Sequence, residues 1–113
     1  MLKRAAMPAF SEIAKKPIID ALVSDAMEEL APDVRYIRYD IADDSTGKPA
    51  LFFRVVLSDA AYSSERFSSA KNRVTDLIMS RLDWDLDLYP HFRFRSESDQ
   101  AKIREEMWAP LPA

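Results

Sequence analysis

With 113 residues, 31% of them charged, a formal net charge of −3, no cysteine and a single histidine, the chain suits one domain that buries about two thirds of its unfolded surface. These counts exclude a disulfide framework, a thiol nucleophile and any thiolate or histidine-cluster metal site. The acidic balance argues against bulk electrostatic binding of nucleic acid, which calls for a basic surface.

Charge is unevenly spread along the chain. Residues 1 to 16 hold four basic groups and one acid, and residues 17 to 33 hold five acids and no base. The first 16 residues read as a basic arm with one short helical turn around Phe10 to Lys15. Pro8 interrupts the start before an apolar run of signal-peptide length, and no stretch reaches the ~18 apolar residues of a membrane span. The reading is therefore a soluble, unprocessed, cytoplasmic protein. Pro17 suits the first position of a helix, where its missing N–H has no partner to lose. From there Ile18, Ile19, Leu22, Val23, Ala26, Met27 and Leu30 recur at three- and four-residue spacing as one apolar stripe. Ala31-Pro32-Asp33 ends it.

Val34 to Ala42 alternates, which predicts a strand with Ile37, Tyr39 and Ile41 inward and Tyr36, Arg38 and Asp40 outward. Asp43 to Pro49 is a turn by composition, returning the chain into Ala50 to Ser58 as the second strand of a hairpin. In that second strand Leu51, Phe53, Val55 and Leu57 share one wholly apolar face, and Phe52, Arg54 and Val56 share the other. Ser63 and Ser64 precede a second amphipathic stretch of about five turns, through Phe67, Ala70, Val74, Leu77, Ile78 and Leu82. Trp84, Leu86 and Leu88 then alternate with Asp83, Asp85 and Asp87, and Phe92 and Phe94 alternate with His91, Arg93 and Arg95. This predicts one edge strand, bent or restarted at Pro90. Ser96 or Ser98 caps a last helix running through Trp108, and residues 109–113 form an extended tail. The fold class is α+β, a two-layer sandwich in the order α-β-β-α-β-α, with helices over one face of a three-stranded mixed sheet. Residues 17–108 make its single domain.

A single glycine excludes Gly-rich phosphate loops and the GxxG clamp of KH domains. His91 alone builds neither a metal cluster nor, by itself, a triad, and reads most simply as a partly exposed residue after Pro90. Asp83, Asp85 and Asp87 would stand ~6.7 Å apart in a strand, too far for all three to hold one Mg²⁺ directly. They read as a solvated edge that discourages pairing with other strands. No catalytic, cofactor-binding or metal-ligating set converges, so the chain reads as a non-enzyme without a cofactor. The sharpest constellation is basic and aromatic: Tyr36, Arg38, Phe52, Arg54, Arg93 and Arg95 on the outward sheet face. Such a face could bind a protein partner, since interfaces enrich arginine and aromatic residues, or stack bases and hold phosphates. The bland alternative is that these arginines pair with Asp40, Asp59, Glu97 and Asp99.

Two stretches, Asp43 to Asp59 and Phe92 to Ala101 with Trp108 beyond, resemble a group of small bacterial proteins encoded beside HEPN-type helical proteins in toxin-antitoxin-like pairs. That resemblance covers about half the chain and implies a protein partner from a neighbouring gene, with no catalytic residues to carry over. The element order and Pro90-His91-Phe92-Arg93-Phe94 also look like ribosome-binding factor A and its KH-like fold, although the Ala-x-Gly kink of that family is missing here. The leading reading is a protein-binding module, accessory or antitoxin-like, compatible with a homo-oligomer. A nucleic-acid-binding protein using the same face is the alternative.

Overall fold

The computed structural model describes the backbone of residues 2–108 and the side chains of residues 14–103. In chain order the elements are helix α1 (Leu2–Leu30), strands β1 (Val34–Asp43) and β2 (Pro49–Leu57), helix α2 (Phe67–Arg81), a one-turn 3-10 helix (Trp84–Leu86), strand β3 (Tyr89–Ser96) and helix α3 (Glu97–Trp108). This is the α+β order read from the sequence, around a three-stranded mixed sheet ordered β1-β2-β3.

β2 takes the middle because it alone is apolar enough on both sides. Leu51, Phe53, Val55 and Leu57 are at most 1% exposed, and Ala50 and Val56 on the opposite face are also buried. Each large side chain so buried contributes roughly 1.5–3 kcal/mol. β1 joins it antiparallel through the tight turn that the composition predicted. In that turn Asp44 Oδ1 accepts from the N–H of Thr46 at 2.8 Å, the Thr46 hydroxyl at 2.6 Å and the N–H of Lys48 at 3.1 Å. Gly47 takes φ +84°, a conformation that costs a residue with a Cβ far more. β3 joins the other edge of β2 in parallel, which requires a crossover, and α2 lies within it.

The core fills the side of the sheet on which α1 and α2 lie. Ile19, Val23, Ala26 and Leu30 from α1 meet Ala70, Val74 and Ile78 from α2 over the inward residues of β1 and β2. The buried stripe of α1 is narrower than its apolar residues suggest: Leu22 and Met27 are half-buried and Ile18 is exposed. Ion pairs stitch the rim. Asp33 accepts from both Arg66 and Arg73, tying the start of β1 to α2, and Glu29 holds Arg81 across the two helices. A register shift between Val34 and Tyr36 releases Arg35 from the alternation, and its Nε reaches Glu97 at 2.9 Å at the start of α3.

Three local expectations change, and one alternative is resolved. α1 does not begin at Pro17: it runs from Leu2, so the expected arm is helical in its backbone and both Pro8 and Pro17 lie inside the helix. A proline removes one rung and costs about 3 kcal/mol or more, but it need not end a helix that is anchored beyond it by Ile19, Val23, Ala26 and Leu30. α2 starts at Phe67 and spans 15 residues, nearer four turns than five, with no side-chain cap. The Ser63 carbonyl instead accepts the N–H groups of Arg66 and Phe67 in the preceding turn. Asp83 to Leu88 is not strand. Asp83 caps the 3-10 turn by accepting from the Asp85 N–H at 3.0 Å, and Asp87 leaves it at φ 58°. The strand starts at Tyr89, with Pro90 second in an edge strand. Ser96 proves to be the α3 cap, its Oγ accepting from the Asp99 N–H at 3.0 Å, whereas Ser98 binds Asp59. The extended reading of residues 109–113 lies outside the described residues, as does the side chain of Trp108.

Candidate functional site

Strand register places all six sequence-selected residues on the face of the sheet opposite α1 and α2. Across the three strands, Tyr36 is beside Val56 and Val56 beside Arg95, and the next row is Arg38, Arg54 and Arg93. Beyond it lie Asp40, Phe52 and His91, then Ala42, Ala50 and Tyr89. Neighbouring strands are about 4.8 Å apart, so the middle row sets three guanidinium stems side by side. Arg38, Arg54 and Arg93 are exposed, whereas Val56 is buried and Tyr36 and Arg95 half-buried. The uncovered part of the face is thus its middle, away from the end where β3 passes into α3.

Like charges directly opposite one another destabilise a sheet, so a row of three arginines works against folding unless something neutral or negative lies against it. One carboxylate does. Asp40 Oδ2 accepts from Arg54 Nη2 at 2.6 Å, with both side chains more than half exposed. Among the described residues, Arg38, Arg93 and Arg95 have no carboxylate within ion-pairing distance. Full neutralisation by Asp40, Asp59, Glu97 and Asp99 therefore does not hold there. Glu97 takes Arg35 and Asp59 takes Ser98. A depression of about 500 Å³ opens beside the row, lined by Asp40, Phe52, Arg54, His91 and Arg93.

The aromatic residues of this face are already engaged. Phe52 and His91, cross-strand neighbours, have ring centroids 4.8 Å apart and planes within 15°. At that spacing the two rings stack face to face, each covering one side of the other. Arg38 lies over the Tyr36 ring, 5.6 Å from its centroid. Tyr89, at the far end, meets His91 edge-on at 5.5 Å.

A second cluster, not foreseen from the sequence, lies where α1 meets β1. The Tyr39 hydroxyl donates to Asp20 Oδ1 at 2.5 Å, and Lys16 Nζ sits 3.4 Å from the same carboxylate. A groove of about 900 Å³ runs here, with Val23, Met27, Ile37 and Ile41 among its apolar lining. No local sequence signal marks it, because it depends on which turn of α1 crosses β1. The Tyr39 hydroxyl, more than Lys16, holds Asp20 below its ordinary value, so the stability this contact adds is present at neutral pH and is lost as pH falls through the lowered value. Burial first, and the bond to Asp20 second, raise Tyr39 above 10.0. In Asp20→Ala the Tyr39 phenol should ionise at lower pH than in the wild type, because the carboxylate that holds its proton is gone and Lys16, which favours the phenolate, remains. An ultraviolet titration of the phenolate, assigned with Tyr39→Phe, reads this directly, and an unchanged titration would disprove the bond.

Among the described residues, no group of three or more His, Asp or Glu side chains is placed to hold a metal ion, and no helix is long and apolar enough to cross a membrane. Comparison of the chain with protein-family models, curated proteins and solved structures finds no match.

Proposed function

We propose that the protein is a non-enzymatic binding module that takes a protein partner on the face of its sheet opposite α1 and α2. The observation that supports this is the exposed row Arg38, Arg54 and Arg93, flanked by Phe52 and His91 on a face no core helix covers. Arginine beside aromatic surface is the composition that interfaces enrich, and a surface whose charges strain the free protein is stabilised by the ligand that neutralises them. The first candidate partner is the product of an adjacent gene, in keeping with the resemblance to paired toxin-antitoxin-like proteins, with this chain as the accessory or neutralising member. A second reading, a nucleic-acid module on the same face, draws support from the excess of arginine over carboxylate there.

Salt dependence separates the two. Phosphate contacts release counterions and give a steep fall of affinity with salt, whereas a protein interface depends on salt more weakly and mainly through its association rate. The test is binding of the purified protein to the neighbouring gene product and, in parallel, to mixed single-stranded RNA and DNA across a salt series. Arg54→Ala/Arg93→Ala serves as the face-disrupting variant. Binding to the neighbour that the variant weakens supports the proposal. Oligonucleotide binding that the variant abolishes, with no binding to the neighbour, overturns it in favour of the second reading.

A further inference from the structure

The arginine row already holds one carboxylate, that of Asp40 on Arg54. We infer that the segment bound on this face is an acidic, extended polypeptide whose carboxylates align with Arg38, Arg54 and Arg93, Asp40 standing in for one of them in the free protein. This rests on the proposed binding role of the face and goes further by stating what the partner presents there.

Three observations carry it. First, among the described residues the face holds four arginines, Arg38, Arg54, Arg93 and Arg95, against one carboxylate, Asp40, in a chain that is acidic as a whole, so its complement is anionic. Second, Arg54 already donates to a carboxylate of the neighbouring row at 2.6 Å, the contact an incoming Asp or Glu would make with Arg38 or Arg93. Third, the rings of this face already have one side taken, so no row of them lies open for successive bases. Phe52 and His91 face each other and Tyr36 lies under Arg38, which leaves Tyr89 alone at the far end. A platform for single-stranded nucleic acid needs successive open ring faces, so the ring geometry favours carboxylates over nucleotides. An extended chain places alternate side chains ~6.7 Å apart on one side, and the three-arginine row spans about 10 Å, so two neighbouring acids fit along it at once.

The test uses the full chain and a fluorescent peptide alternating Glu and Thr, with a Gln-Thr peptide and a mixed single-stranded RNA as the other arms. The Glu-Thr peptide should bind and the Gln-Thr peptide should not. Arg38→Ala/Arg93→Ala should weaken binding about tenfold, as loss of two exposed ion pairs implies. Asp40→Asn should instead tighten it about two- to fivefold, because Arg54 loses its internal competitor. These residues are exposed, so a retained cooperative thermal melt for both variants, with only a small shift in midpoint, serves as the folding control. Peptide affinity that neither variant changes would overturn the inference, as would RNA binding with no peptide binding. If the neighbouring gene product binds through Arg54 and Arg93 while the acidic peptide does not, the inference falls and the broader binding role stands.

Discussion

Phe53→Ala is expected to destabilise the protein by about 3–5 kcal/mol, among the largest effects of any single substitution in this fold. Phe53 is 1% exposed at the centre of the middle strand, its ring stacked on Phe92 at 5.2 Å and tilted against Tyr39 at 6.4 Å. Truncation opens a cavity beneath both helices, where neighbours fixed by strand register cannot close in. Arg54→Ala, one residue along, should stay within about 1 kcal/mol, since its ion pair with Asp40 is exposed. Chemical denaturation of the two variants checks the pair. Equal and large losses would mean that the two faces of β2 have been exchanged.

The second large effect lies in the segment between α2 and β3. Leu86→Ala is expected to cost about 2–5 kcal/mol, and Trp84→Ala about 1 kcal/mol or less. Strand alternation would put both side chains on one buried face and predict comparable losses. The 3-10 turn separates them: Leu86 is 6% exposed within the core and Trp84 is 50% exposed. The same denaturation measurement decides, and a Trp84 loss as large as that of Leu86 would restore the strand.

These two cases show where sequence is legible. The apolar alternation of Leu51 to Leu57 has one reading, because a run of four matching positions between a turn and a polar stretch fits only a strand with one buried face. The alternation of Asp83 to Leu88 has two. Aspartate at every second position serves a solvated strand and equally a short turn, where Asp83 caps the first N–H and Asp87 tolerates φ 58°. The helix starts differ from the sequence expectation for a related reason. Pro17 and Ser63 are permitted at helix starts, but permission is not requirement, and tertiary anchoring of Ile19 and Ala70 decides where each helix runs. The candidate face was legible as a set of residues, since parity along each strand assigns its sides. Its internal arrangement was not. That Arg54 would meet Asp40 and Phe52 would meet His91 depends on the register of β1 and β3 against β2, and the β3 register is set across the whole α2 crossover.

That crossover also orders events as the chain folds. The β1–β2 hairpin is joined by a short turn and can form from local contacts alone, but β3 pairs in parallel only after α2 has brought the chain back across the sheet. Until then one edge of β2, the most apolar strand, has its hydrogen-bonding groups unpaired. During synthesis this edge is made well before the residues that protect it, and an unpaired apolar edge is a template for joining another chain. Substitutions that delay β3, such as those at Leu86 or Leu88, should therefore lower the yield of native protein by more than their equilibrium cost alone would suggest.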